Sequence, residues 1–252
     1  MAEKEKDPLY RKVTHTQYTG IKKIGDKGPQ SWLQKEIIKS YGEKLGFKYV
    51  SDEFVKVPAD AHIAPFAFGG TILFVIILIT YFSIKDGSFG KSPDVYIYIG
   101  AWLSFVAVII YYFTMPKKEV IFARLNGTIT FPGFMWKKNI TMPFDKIKFS
   151  YTSGGSNAIG AYQLVIVRPD KAGSTLQFPF GGVDCYTDLS LITWYMDKNR
   201  PLPPHTDLDA YREKDFERRK KGKFKKPLYR SQIATPEATA EQQEERERIG
   251  KW

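Results

Sequence analysis

Hydrophobic positions gather into two uninterrupted runs near the middle of the chain, Ile63 to Ile84 and Val95 to Met115. Neither run contains Asp, Glu, Lys, Arg or His. At about 1.5 Å rise per residue, each is long enough as a helix to cross a hydrocarbon core of roughly 30 Å. Apolar runs longer than about 18 residues rarely occur in water-soluble domains. The pattern therefore predicts two membrane spans. The connector Lys85 to Asp94 (KDGSFGKSPD) is short and rich in turn formers, so the spans form a helical hairpin with both flanks on one side.

Outside the spans the periodicity changes. In Ser31 to Gly46, Leu33, Ile37, Tyr41 and Leu45 recur every fourth residue and charged side chains take the other face, which predicts an amphipathic helix beginning at Trp32. Such a helix suits a leaflet surface, with Trp32 as a lipid contact, and it equally suits docking on a folded domain. Met1 to Gly28 reads as loosely ordered. Phe47 to Val50 and Phe54 to Val57 read as short strands that can join a sheet supplied later in the chain.

After Glu119 short β runs take over. Val120 to Leu125, the turn Asn126-Gly127 and Thr128 to Phe131 form a strong hairpin signal. Ile140 to Met142, Ile147 to Tyr151, Tyr162 to Arg168 and Ser174 to Phe180 continue the strands. Asp184 is a plausible N-cap for a helix reaching about Lys198, with Leu189, Ile192, Tyr195 and Met196 on its covered face. The expected fold class is a membrane α-helical hairpin plus an α+β unit; six or so antiparallel strands closed by one helix is the order of PH-like domains, and by that analogy the unit is a PH-like antiparallel β domain. The expected segments are a cytoplasmic N-terminal segment (1–62), the hairpin (63–115), the β domain (116–206) and a charged C-terminal tail (207–252).

Charge orients the hairpin. Lys44, Lys48 and Lys56 precede the first span, Lys117, Lys118 and Arg124 follow the second, and the connector holds only Lys85 and Lys91. The excess favours both termini in the cytoplasm. The single cysteine, Cys185, and the absence of a short apolar region near Met1 agree with that orientation. Tyr81, Phe82, Tyr96, Tyr98, Tyr111, Tyr112 and Phe113 mark the interfaces. Gly69 and Gly70 in the first span, and Gly100 and Ser104 in the second, offer a helix-packing seam. The Gly70 and Gly100 faces also leave a homo-oligomer open. Spans without ionisable groups argue against transport.

Candidate catalytic chemistry is sparse. His15, His62 and His205 lie in separate segments with no carboxylate or cysteine at ligand spacing, and no HExxH or CxxC occurs. The loop SGGSNAIG (Ser153 to Gly160) lacks the Gly-Lys-Ser/Thr ending of a phosphate loop. Asp184 and Asp188 are one helical turn apart without a metal context. A non-enzyme without cofactor or metal is expected.

The net charge of +11 suits an anionic partner, with membrane lipid first and nucleic acid disfavoured because nothing here reads bases. Arg212 to Arg230 holds ten Lys or Arg against Glu213, Asp215 and Glu217, with Phe216, Phe224 and Tyr229 interleaved. Arg218, Arg219, Lys220, Lys221, Lys225 and Lys226 are the candidate lipid contacts. A solvated arm and an acidic protein partner are the other readings. Thr235-Pro236 reads as a helix entry. The acidic run Glu237 to Glu247 that follows could fold back on the basic stretch and so weaken lipid contact.

VIFARLNGTITFPG (Val120 to Gly133) and PFDKIKF (Pro143 to Phe149) resemble membrane-anchored bacterial PH-like domains. WYMDKNRPLPPHT (Trp194 to Thr206), YREKDFERRK (Tyr211 to Lys220), KPLY (Lys226 to Tyr229) and TPEATAEQQEERERIGKW (Thr235 to Trp252) resemble a family of two-span proteobacterial proteins often found near type VI secretion genes. The resemblance implies a multi-pass protein of the bacterial inner membrane, linked to interbacterial competition as an immunity-type binder of a secreted effector. It transfers no catalytic residue.

Overall fold

The computed structural model describes residues 11–18, 49–57, 63–87, 94–116, 118, 120–133, 135–153, 162–170, 175–177 and 185–252. Trp32, the amphipathic segment Ser31 to Gly46, His62 and Asp184 lie outside them. The chain divides into two compact units, one made of residues 59–118 and 132–139 and the other of the remainder.

The first unit is the helical hairpin, α1 (Ile63–Lys85) and α2 (Asp94–Thr114), both long and apolar enough to cross a membrane. Most of their surface is apolar and open, with Phe66 78% and Phe113 80% exposed. The side of α1 that is buried or half-buried runs through Pro65, Gly69, Ile72, Ile76, Ile79 and Ser83. That alternation of three and four residues is the spacing of a left-handed helix pair. On α2 the half-buried positions include Tyr98, Ala101, Phe105 and Val108.

The second unit holds two antiparallel sheets. The larger has the order β1 (Tyr49–Val50), β2 (Phe54–Val57), β3 (Val120–Ala123), β4 (Thr128–Phe131) and β5 (Ile140–Pro143). The smaller comprises β6 (Phe149–Ser153), β7 (Tyr162–Val167) and β8 (Thr175–Gln177). Strands β2 and β3 pair in register from Phe54↔Ala123 to Val57↔Val120, so the helical hairpin is an insertion within a β-hairpin. The strand pair before the spans thus completes the sheet formed after them, as the sequence allowed.

The β3–β4 turn forms as Asn126-Gly127 predicts. Gly127 takes a φ of +63°, a conformation that suits glycine, and its carbonyl accepts from Phe144 N at 2.8 Å. Inward residues of both sheets, among them Ile121, Ile129, Phe131, Met142, Leu164 and Ile166, are fully buried. Each such side chain contributes about 1.5–3 kcal/mol of burial.

Residues 11–18, expected to be loosely ordered, instead lie against this unit. Thr14 N donates to Thr141 O at 2.9 Å and Thr14 Oγ1 accepts from Thr141 N at 2.9 Å, covering part of the β5 edge. Tyr18 Oη accepts from Lys148 N (2.7 Å) and donates to Val167 O (3.0 Å).

Helix α3 (Cys185–Met196) follows β8, and Leu189, Ile192, Tyr195 and Met196 are buried as expected. So are Thr187, Asp188, Ser190 and Thr193. Near the C-terminal end of this helix, where Trp194 lines a cleft with Pro204, Arg212 and Glu237, lies the segment expected to be an extended tail. It contains α4 (Thr206–Asp209), α5 (Arg212–Lys221) and α6 (Ala240–Gly250), and its Leu208, Phe216 and Phe224 are buried. The expectation of one closing helix and a separate tail from residue 207 is corrected accordingly.

Candidate functional site at the basic C-terminal segment

The strongest charge feature of the sequence, Arg212 to Arg230, folds locally for reasons visible in its spacing. Asp215 precedes Arg218 and Arg219 by three and four residues, positions that meet on one helix face. Gly222 ends the helix and its N–H returns to Arg218 O. Phe216 and Phe224 pack with ring centroids 5.3 Å apart and anchor the helix to the core.

Asp215, fully buried, is the hub. Its Oδ1 accepts from Arg124 Nη1 and from Arg218 Nη2 (2.7 Å), and its Oδ2 accepts from Arg219 Nε (2.8 Å). Burial alone would raise its pKa. Attraction by Arg124, Arg219 and Arg218, with the Arg124 hydrogen bond, outweighs that and holds the carboxylate below its ordinary range.

Arg124 comes from the β3–β4 turn and is fully buried. It donates to Tyr195 O (2.8 Å), Arg200 O (2.6 Å) and Asp197 O (3.3 Å), at and beyond the C-terminal end of α3. A cation there also complements the helix dipole.

A second carboxylate, Glu237, accepts both Nη atoms of Arg219 (2.7 and 2.6 Å) and Arg246 Nη1 at 3.3 Å. Asp197 accepts from Arg200 Nε (3.1 Å) and from the backbone of Leu228 (2.9 Å) and Tyr229 (3.2 Å). Burial lowers the pKa values of Arg200, Arg218 and Arg246, against the pull of their acids. For Arg219, hydrogen bonding to Glu237 and attraction by Asp215 overcome burial and raise it.

Helix α6 closes the network. The helix starts past the expected entry at Thr235-Pro236, and its cap is Thr239, whose side chain accepts from Gln242 N. Thr235 Oγ1 instead accepts from Arg200 at 2.8 Å. Lys220 bridges to Glu245 at 2.9 Å, Arg246 stands 4.5 Å over the Trp252 ring, and Trp252 Nε1 donates to Phe224 O at 2.7 Å. The acidic helix folds back on the basic one.

The six candidate lipid contacts of this segment therefore separate. Arg219 is buried between two acids, and Arg218 and Lys220 are half-buried and ion-paired. Their charge is engaged by acids of the chain itself. Lys221, Lys225 and Lys226 remain exposed. Among the helix-packing candidates, only Gly69 lies in the seam, where an added Cβ would meet Val108 Cγ1 at 3.5 Å. Gly70 and Gly100 have nothing within 4 Å of that position, and Ser104 is exposed, its hydroxyl donating to Gly100 O at 2.8 Å. These three are corrected from the seam to the outer surface.

A cleft of about 490 Å³ lies beside α4, lined by Trp194, His205, Asp209, Arg212 and Glu237. Its polar walls are engaged internally: Arg212 donates to Leu202 O, Pro203 O and Asp209, and Glu237 holds Arg219. His205 caps α4 by accepting from Asp207 N at 3.2 Å. No three His, Cys, Asp or Glu among the described residues gather as a metal site.

The buried network escaped the sequence reading because Arg124 and Asp215 lie 91 residues apart. The one available signal was the Asp215-Arg218-Arg219 spacing next to Phe216. Comparison with protein-family models, with curated proteins and with solved structures finds no match.

Proposed function

We propose that this chain is a non-enzymatic, membrane-held binding protein of the immunity type, which neutralises a secreted effector by direct contact at the bacterial inner membrane. The carrying observation is the β2–β3 pairing across the inserted hairpin. It supports a binding unit fastened to its spans by both strands, with the flanks of the two spans on the same face of the bilayer. The basic residues around the spans favour the cytoplasmic face. The effector link rests on the resemblance of Trp194 to Trp252 to proteins found beside secretion genes.

A PH-like fold belongs to the same proposal. A larger and a smaller antiparallel sheet followed by α3 support it.

The test is co-purification from detergent-solubilised membranes, with the tagged chain expressed beside the product of its neighbouring secretion-linked gene. A stable complex, and growth protection by the full chain, are expected. Recovery of the chain with anionic lipid alone would overturn the pairing.

The second reading, a membrane-tethered scaffold or anionic-lipid-sensing module, is favoured by exposed Lys221, Lys225 and Lys226. It is weakened by the internal pairing of Arg218, Arg219 and Lys220. Neutralising the three exposed lysines would separate the readings, since it should release lipid and leave effector binding intact.

A further inference from the structure

The loop joining β4 to β5, residues 132–139, belongs to the same compact unit as the two spans, whereas the strands it joins belong to the other. Its sequence, PGFMWKKN, places an apolar cluster directly before two lysines. Trp136 donates from Nε1 to Thr114 Oγ1 at 2.8 Å, at the last residue of α2. Its ring meets the Tyr111 ring edge to face, with centroids 4.9 Å apart. Lys118 Nζ, just past that helix end, donates to Lys137 O at 3.1 Å. The loop is therefore built against the end of a helix apolar enough to span a membrane.

Its described residues are closely constrained. A Cβ on Gly133 would fall on the carbonyl oxygens of Lys137 and Lys138, so only glycine closes the loop. Gly133 N donates to Asn139 Oδ1 at 3.2 Å, and Met135 is held at a φ of +46°, a strained conformation for a residue with a side chain. Yet Met135 and Trp136 keep 43% and 51% of their surfaces open, and Lys137 and Lys138 are exposed. A loop that keeps large apolar side chains exposed beside a span end matches the interface region of a bilayer. There Trp and Tyr sit at headgroup depth and basic side chains attract anionic lipid.

We propose that this loop is a third membrane-contacting element, with Met135 and Trp136 entering the interfacial layer and Lys137 and Lys138 meeting anionic headgroup phosphates. It rests on the reading that α1 and α2 cross the bilayer. The occupant is the lipid surface, because the loop continues the apolar surface of α2 and carries charge opposite to anionic lipid.

The full chain with Cys185→Ser is reconstituted into vesicles of phosphatidylglycerol and phosphatidylethanolamine, and single nitroxide labels are placed by M135C, I110C and K221C. Collision rates with oxygen and with a water-borne nickel chelate report depth. The expected order is I110C in hydrocarbon, M135C at the interface and K221C in water. I110C in water would overturn the span reading, while I110C in hydrocarbon with M135C as wet as K221C would overturn the loop proposal alone. K137A/K138A is expected to move the M135C label outward, and an unchanged depth would remove the lysines from it. Should the Cys185→Ser chain not fold, the difference in brominated-lipid quenching between the unaltered chain and W136F reads the same depth: a lower quenching in W136F supports the loop and an equal one overturns it.

Discussion

Val57 and Val120 are register partners at the end of the β2–β3 ladder, although residues 58–119, including both apolar helices, run between them. The ladder keeps one continuous register on either side of this long insertion. Register comes from the alternation of buried side chains along paired strands. The helical hairpin and the β unit form two compact units although continuous in chain.

Replacing residues 58–119 by a two-residue Asn-Gly turn is expected to give a folded, water-extractable domain. The paired ends are already adjacent, and shortening a loop lowers its closure entropy. Circular dichroism and a cooperative melt would check this; a collapsed or insoluble product would mean that the spans are needed to fold the sheet.

Asp215→Ala leaves Arg124 and Arg219 buried without their shared acid. Breaking a buried pair in this way costs about 3–5 kcal/mol. A comparable loss is expected in urea unfolding, and a change under 1 kcal/mol would show the network to be no stronger than a surface pair. Lys221→Ala, at an exposed position, is expected to leave the midpoint where it was.

Acid should reveal the same carboxylate. Asp215 has a folded pKa below its unfolded value of about 3.9, so its contribution is present above that value and is lost as pH falls through the folded one. The gap in unfolding midpoint between the unaltered chain and Asp215→Asn should be constant near neutrality and narrow only below about pH 4. A gap that closes at higher pH would contradict the depressed pKa.

Tyr18 makes an opposite prediction at the alkaline end. Burial raises its pKa from 10.0 to about 12, against the Lys148 backbone hydrogen bond. Its contribution is therefore complete below the unfolded value and is lost as pH rises through the folded one. Tyr18→Phe should cost about 1 kcal/mol at neutral pH and flatten the stability loss between those two values. An identical alkaline profile in both proteins would contradict it.

In the hairpin, Gly69→Leu is expected to destabilise helix association, because its side chain would drive into Val108. Gly70→Ala and Gly100→Ala, with open space around each, should be silent. Fluorescence transfer between labelled helices in detergent would distinguish them.

The sequence made local features readable. Uncharged runs announced α1 and α2, Asn126-Gly127 announced the β3–β4 hairpin, and the strands before the spans were legible as sheet additions. What escaped is non-local. Arg219 looks like any cation in a basic stretch until Glu237 reaches it from the approach to α6. Gly100 and Gly69 look alike in sequence, and only the rotation of each helix decides which one meets its neighbour. Trp136 sits in a loop far along the chain from Thr114 and Tyr111, and no periodicity links them.

The most direct measurement is sidedness. Single cysteines introduced by S88C in the connector and K221C on α5, in the Cys185→Ser background, are exposed to an impermeant maleimide in sealed, oriented membrane vesicles. The expected result is labelling of the two positions from opposite faces, with the β unit on one side and the connector on the other. Labelling of both from the same face would contradict a membrane-crossing hairpin inserted into the sheet.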